Sequence, residues 1–198
     1  KTTMLNIISG LVKPSSGSVS FDGRNVTHDT TQARNIAQVF QFPVIYDTMT
    51  VAQNLFLGQE QFFNRLRGIY IAAQQFLQSL NFDVDPTATV SLLGAAKKQM
   101  VEIARAVLND ARIIIFDEPT ASLPPEEKKY FFDLVLNLKA RGVSVVFISH
   151  ALEEALLLAD RITVLVNGAV LTEGSPAEIA QDPQVKAVYL GHGEEAHG

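Results

Sequence analysis

Two adjacent carboxylates follow a short apolar run in the second half of the chain. The run IIIF, residues 113–116, leads directly into Asp117 and Glu118. Such a run predicts a buried β-strand, so both acids would lie at its carboxyl end, where α/β sheets bind ligands. Asp117 could hold Mg²⁺ there while Glu118 polarises an attacking water. The alternative is a pair of acids that only terminates a core strand.

The first three residues could form part of a phosphate site. Lys1, Thr2 and Thr3 match the end of the pattern G-x-x-x-x-G-K-[ST], and apolar residues at helical spacing follow them, as that motif requires. The Thr2 hydroxyl would then share Mg²⁺ with Asp117. The glycines whose backbone N–H groups would cradle the phosphates are not in the chain, and a solvated lysine before a helix is the alternative.

Two further polar residues come at the ends of predicted strands. Gln41 ends IAQVFQ, and His150 directly follows the β-branched run VSVVFIS. Because the carboxyl ends of parallel strands meet at one edge of a sheet, both would lie near Asp117 and Glu118. Gln41 could contact metal or water, and His150 could contact a γ-phosphate. The alternatives are a polar strand end and a structural histidine.

The elements that would position these residues alternate between strands and helices, which predicts an α/β protein. We expect a mainly parallel sheet flanked by helices; together with the phosphate-binding pattern at Lys1, Thr2 and Thr3, this resembles the fold of P-loop NTPases. Two antiparallel hairpins are predicted, with turns at Asp22-Gly23 and Asn167-Gly168. Residues 50–92 are rich in Gln, with Phe and Leu at helical spacing, and predict a helical subdomain inserted into the sheet domain.

Three further helices are predicted in the second half of the chain. One helix runs from about Met100 to Leu108, and another opens at Pro124-Pro125 with acidic residues in its first turn. Ser175, with Glu178 three residues later, predicts the start of a last helix. The tail GEEAHG is predicted to be loose.

Composition narrows the class of protein. The chain has 198 residues, of which 47% are hydrophobic, which is enough for one substantial core. Its formal charge of −5 disfavours nucleic acid as the main ligand, and the lack of cysteine excludes disulfides and cysteine-based sites. Its apolar runs are far shorter than the roughly 20 residues that span a bilayer.

Taken in order, KTT, VFQ, QMVEIARAV, IIIFDEP and FISH resemble the nucleotide-binding domain of ABC ATPases over residues 1–198. The resemblance implies ATP and Mg²⁺ as cofactors and a domain that begins within Walker A, without its first strands and phosphate-loop glycines. By the same resemblance, the site residues are Lys1 and Thr2 of Walker A, the Q-loop Gln41, Asp117 and the general base Glu118 of Walker B, and the switch residue His150.

Within this family, TVAQNLFLG and QMVEIARAV resemble ATP-binding subunits of bacterial sugar importers. NIAQVFQFPVIYDTMTV is closer to importers of glycerol and related solutes, and DPQVKAVYLG to branched-chain amino-acid importers. The resemblance implies a second ABC domain, transmembrane permease subunits and a solute-binding protein as partners, at the cytoplasmic face of the cell membrane. A regulatory half without catalysis and a non-transport ABC ATPase are the alternatives.

The family's signature L-S-G-G-Q falls on residues 93–97, LGAAK. In the family this segment binds the γ-phosphate held by the partner domain, so Gly94, Ala95 and Ala96 are candidate nucleotide contacts. Gly94 lacks the serine hydroxyl, and Lys97 either compensates with its charge or is a solvated lysine. Because the residues that act in cis have the expected types, we expect hydrolysis at the chain's own site and a weakened contribution to the partner's site. The chain alone, without the phosphate loop, is expected to be inactive.

Overall fold

The computed structural model describes residues 2–59 and 66–190. Backbone contacts divide the chain into two compact units, Thr2–Ile148 and Ser149–Gly198. Each unit combines helices with strands, and the larger one contains a parallel sheet, so the predicted α/β class is confirmed.

The helices described in the larger unit are α1 (Thr2–Ser9), α2 (Thr31–Arg34), α3 (Val51–Leu55), α4 (Leu66–Ser79), α5 (Ala95–Leu108) and α6 (Pro125–Ala140). Its strands are β1 (Ser20–Phe21), β2 (Arg24–Asn25), β3 (Ile36–Val39), β4 (Ile113–Asp117) and β5 (Ser144–Ile148). The smaller unit contains α7 (Leu152–Leu158), β6 (Ile162–Val166), β7 (Ala169–Gly174), α8 (Pro176–Gln181) and α9 (Pro183–Leu190).

Strand β4 is the centre of the parallel sheet, with β3 on one side and β5 on the other. Its residues Ile114, Ile115 and Phe116 are at most 1% exposed. Because successive side chains of a strand point to opposite faces, both faces of β4 are covered, which explains its continuous apolar run. Phe116 packs edge-to-face on Phe131 of α6, with ring centroids 5.1 Å apart.

Both predicted hairpins form in the structure. Asp22 and Gly23 have φ of 48° and 78°, and Asn167 and Gly168 have φ of 50° and 83°. Two successive positive φ angles are what a tight hairpin turn between twisted strands needs. In the smaller unit, β6 and β7 pack on α8 and α9 through Val164, Ile179 and other apolar residues.

The helical stretch between β3 and α5 is fastened at its two ends. Thr50 caps α3 with a reciprocal capping box to Gln53. The backbone before and within α3 hydrogen-bonds to the segment ahead of α5, including Val51 N to Ala88 O and Val90 N to Met49 O, both 3.0 Å. Residues 51–55 and 66–79 are helical as expected, and the boundary of a separate helical subdomain at 50–92 stays a prediction.

Three element boundaries differ from those expected. Strand β3 ends at Val39, two residues before Gln41. Helix α5 begins at Ala95 rather than near Met100, because the small and polar residues of its first turn carry no apolar periodicity. The capping box of Ser175 and Glu178 is present, yet α8 is followed by α9, so it does not open the last helix.

No helix among the described residues is long and apolar enough to cross a membrane. The tail at 193–198 and Lys1 lie outside the described residues.

Arg34 is a buried cation that joins α1 to the segment before β3. It is 5% exposed, and its guanidinium donates hydrogen bonds to four backbone carbonyls: those of Ile7 and Ile8 (both 2.7 Å), Thr27 (3.0 Å) and Asp29 (3.1 Å). The first two are terminal carbonyls of α1, where a positive charge also complements the helix dipole. Gly10 leaves room for this contact, because a Cβ there would lie 3.0 Å from Arg34 Nε.

Replacing Arg34 by Met should destabilise the protein by about 3 kcal/mol, because buried carbonyls then lose their donors. The free energy of unfolding of the intact protein, measured in denaturant, checks this. Arg24→Met is the matched control, since the Arg24 side chain is 74% exposed and pairs with Asp29 at the surface. That variant should cost less than about 1 kcal/mol. Equal losses in the two variants would contradict the structural role of Arg34.

Candidate functional site

The two carboxylates are separated by a sharp turn at the end of β4. Asp117 is the last residue of the strand and lies opposite Ile148 of β5. Glu118 follows with φ of 49°, a left-handed conformation that costs a residue with a side chain about 1 kcal/mol. Its N–H donates to the Ile148 carbonyl at 3.0 Å, which holds the turn in place. Strain of this kind persists where surrounding structure enforces it, and it is concentrated at functional sites.

The structure brings Gln41 and Glu118 together. Gln41 Nε2 donates to Glu118 Oε2 at 3.4 Å, although the two residues are 77 apart in sequence. Gln41 is exposed and both carboxylates are half-buried, so the pair is open to a ligand. With Nε2 directed at Glu118, the amide oxygen of Gln41 is a second polar atom that can accept a hydrogen bond or bind a metal ion.

The remaining candidates at the first helix and after β5 are less fully placed. Thr3 is exposed in the first turn of α1, while the side chain of Thr2 and all of Lys1 lie outside the described residues. His150 is exposed and belongs to the smaller unit. Around it, Ser149 Oγ donates to Glu154 and accepts from the Ala151 N–H, which orders this turn. The position of His150 beside Glu118 stays a prediction.

The segment LGAAK begins α5. Gly94 is the N-cap, with φ of −68° and ψ of 163°, and no side chain caps this end. Ala95 and Ala96 form the first turn with ordinary helical geometry, so these two positions do not need the conformational freedom of glycine. Gly94 and Ala95 are exposed, and their N–H groups remain available to an anion at the helix start.

Lys97 is paired within the chain. Its Nζ lies 3.5 Å from the Asp83 carboxylate, and 42% of its side chain is exposed. Such a surface pair is weak. Of the two interpretations of Lys97, the structure favours the solvated lysine over a charge dedicated to a phosphate.

Sequence reasoning missed three polar side chains on α5 that hold the segment around Gln41. Gln99 Nε2 donates to the Phe40 carbonyl at 3.3 Å. Glu102 Oε1 accepts from the Val44 N–H at 3.0 Å, and Arg105 Nη2 donates to the Val44 carbonyl at 2.6 Å. Residues three apart lie on one helix face, so a single stripe of α5 holds the backbone on both sides of Gln41. The signal was the spacing Q-x-x-E-x-x-R, which repeats a polar side chain on one face of the helix.

A second clamp holds the far end of this segment. Asn54 of α3 is fully buried; its Oδ1 accepts from the Tyr46 N–H at 2.8 Å, and its Nδ2 donates to the Tyr46 carbonyl at 3.0 Å. With the backbone held from inside, three apolar side chains point outward: Phe42, Val44 and Tyr46 are 79%, 57% and 53% exposed. We call these three residues the exposed stripe.

Comparison with protein families identifies the domain. A family model described as ABC transporter matches residues 1–121, which is more than half of the chain. The chain belongs to the ABC transporter family. A second family model, described as branched-chain amino acid ATP-binding cassette transporter, matches residues 169–195 of this ABC chain.

Curated relatives of this ABC chain include sugar import proteins. A ribose import ATP-binding protein of Rhizobium meliloti (strain 1021) is 38% identical over 194 residues, covering 94% of this chain and 38% of that protein. A ribose import ATP-binding protein of Rubrobacter xylanophilus is 40% identical, covering 94% and 38%. A xylose import ATP-binding protein of Geobacillus kaustophilus is 35% identical, covering 96% and 39%. The ABC chain thus spans less than two fifths of the length of these relatives.

Solved structures of ABC cassettes share the fold. An ATP-binding cassette of an ABC transporter in its ADP conformation is 26% identical, with a TM-score of 0.77 over 96% of this chain and 83% of that chain. A dimeric cassette in a post-hydrolysis state with ADP and Pi is 28% identical, with a TM-score of 0.76 over 88% of this chain and 80% of that chain.

The buried carboxyl of Glu102 should give the protein a distinctive pH dependence. Burial raises the pKa of Glu102 above its ordinary 4.5, although the Val44 N–H and the Arg105 charge oppose the shift. At Glu102 the folded protein therefore binds more protons than the unfolded chain from about pH 4.5 upward, and the contribution of this group to the free energy of unfolding falls as pH rises through that range. The free energy of unfolding should be measured in denaturant for the wild type and Glu102→Gln at a series of pH values from about 4.5 upward. Relative to Glu102→Gln, the wild type should lose stability as pH rises.

Glu173 provides a control of opposite sign. The hydrogen bond and charge of Arg161 lower the pKa of Glu173, so its contribution to stability is lost as pH falls. Relative to Glu173→Gln, the wild type should lose stability with falling pH. A Glu102→Gln comparison that followed the Glu173 direction would contradict the burial effect.

Proposed function

We propose that the chain is the ATP-binding and hydrolysing domain of an ABC-type importer, with a sugar or related carbohydrate as its solute. The observation that supports hydrolysis most directly is the Gln41–Glu118 contact at the strand ends, next to Asp117. The names of the relatives, which concern ribose and xylose import, support the solute class. The match of residues 169–195 favours a branched-chain amino-acid importer as the second candidate.

In this proposal each carboxylate has its own task. Glu118 is the general base that polarises the attacking water, and the amide of Gln41 orients its carboxylate. Asp117, the Gln41 amide oxygen and the Thr2 hydroxyl would hold Mg²⁺, an all-oxygen donor set of the kind that this ion prefers. When bound, Mg²⁺ neutralises phosphate charge during phosphoryl transfer.

The other site residues would act on the phosphates. Lys1 and Thr3 stand at the end of the phosphate-binding pattern, and His150 would contact the γ-phosphate after β5. Gly94, Ala95 and Ala96 would present the start of α5 to the nucleotide of a second ABC domain. The dimeric cassette with ADP and Pi among the structural neighbours supports such pairing.

We further propose that the exposed stripe contacts a transmembrane permease subunit. Phe42, Val44 and Tyr46 present apolar surface on a backbone that is firmly held, which suits binding without prior ordering. The domain would then lie at the cytoplasmic face of the cell membrane, with a solute-binding protein as a further component of the importer.

Glu118→Gln should abolish most Mg-ATP hydrolysis, because an amide cannot accept the proton of the attacking water. We expect a fall in kcat of at least about 100-fold for the full-length protein in membranes with its permease. Glu173→Gln, a surface carboxylate of the smaller unit, serves as the control and should leave the rate unchanged. Undiminished turnover in Glu118→Gln would assign hydrolysis to the partner site and favour the regulatory half.

Gly94→Ser tests the asymmetry between the two nucleotide sites. A Cβ at Gly94 meets nothing within 4 Å, so the serine fits without rearrangement and restores the hydroxyl that the family uses. We expect turnover at the partner's site to rise by up to about tenfold, as one added hydrogen bond to a charged group allows. Gly94→Ala controls for the added methyl group. If nucleotide affinity and rate at both sites match the wild type in Gly94→Ser, the asymmetry is wrong.

A further inference from the structure

We propose that Glu102 is a positioning residue that keeps Gln41 in contact with Glu118 by holding the N–H of Val44. The proposal rests on the proposed function, in which Gln41 and Glu118 act on one nucleotide. Glu102 acts on Gln41 through the backbone of residues 42–44, because it binds the N–H of Val44.

The backbone segment that carries Gln41 is short and held at both ends. Phe40 is fixed through its carbonyl by Gln99, and Val44 is fixed through both its N–H and its carbonyl by Glu102 and Arg105. Only residues 41–43 lie between these anchors. With both ends held, the backbone of Gln41 has few conformations, so its side chain reaches Glu118 with little loss of entropy.

Glu102 is a poor choice of residue for packing alone. It is 2% exposed, and its carboxylate interacts with the backbone of both Val44 and Phe40. Burying a carboxylate lowers stability, and an apolar side chain of similar size would suit the interior better. What the carboxylate adds is a strong acceptor for the Val44 N–H.

Hydrogen exchange tests the anchor without any need for catalysis. In the intact protein, Glu102→Leu keeps the volume of the side chain but removes the acceptor, whereas Glu102→Gln keeps an acceptor oxygen. We expect the amide of Val44 to exchange at least about tenfold faster in Glu102→Leu and near the wild-type rate in Glu102→Gln, since losing a hydrogen bond to a charged group has an effect of this size. Unchanged protection in Glu102→Leu would overturn the proposal.

Kinetics then separate positioning from simple loss of stability. Glu102→Leu should lower kcat for Mg-ATP by about tenfold with little change in KM, and Glu102→Gln should restore most of it. The double variant Gln41→Ala/Glu102→Leu should be no slower than Gln41→Ala alone, because both changes remove the same contribution. Multiplying rate losses in the double variant would show that Glu102 does not act through Gln41.

Leu138→Ala is the matched control for destabilisation, since Leu138 is a core residue of α6 and 3% exposed. It should reduce the melting temperature without changing kcat of the folded protein. If Glu118→Gln fails to slow hydrolysis, the proposed function fails, but the exchange rates still decide whether Glu102 anchors Val44.

Discussion

The pairing of β4 with a parallel strand on each side determines where the proposed chemistry can occur. Strand β4 pairs with β5 from Ile113 to Asp117, and this pairing fixes the register of the carboxyl end of β4. The turn at Glu118 is closed by a bond to Ile148 at the end of β5. Gln41 approaches from the β3 side. A one-residue slip of β4 would turn the Asp117 side chain to the other face of the sheet, because strand side chains alternate faces.

Burial of β4 on both faces is what makes that register secure. Ile114, Ile115 and Phe116 have no exposed alternative, and Phe116 is packed against Phe131 of α6. The strain at Glu118 is tolerated at the end of this strand because the preceding residues cannot move to relieve it. The polar edge at Asp117 and Glu118 therefore depends on the apolar centre of the sheet, which supplies its rigidity.

Much of this arrangement could be predicted from local sequence. The Asp-Gly turn, the Asn-Gly turn, the Ser175 capping box and the buried run before Asp117 are each determined within a few residues, and all four are present. The hydrogen bonds from Gln99, Glu102 and Arg105 to the backbone of Phe40 and Val44 could not be predicted in this way. These side chains bind backbone about 60 residues away, and a polar stripe on a helix gives no sign of which carbonyl or N–H it will meet.

The same limit explains the early end of β3 and the early start of α5. Phe40 leaves the strand where its carbonyl is taken by Gln99, a tertiary contact that strand propensity does not encode. Gly94 caps α5 without a side chain, so the usual capping signal was missing. In the candidate site, residue types at strand ends were enough to suggest Gln41 and Glu118 as neighbours, but not which residues hold them there.

The way in which the segment around the exposed stripe is held also limits how it can be recognised. The N–H and carbonyl groups of Val44 and Tyr46 are already bonded to α5 and to Asn54. The edge of the segment formed by these groups is therefore closed to strand addition, since its main-chain groups are occupied. On the opposite edge, Pro43 has no N–H to donate. A partner would instead contact the side chains of Phe42, Val44 and Tyr46. Exchanging these side chains can change partner specificity while the backbone that positions Gln41 stays as it is.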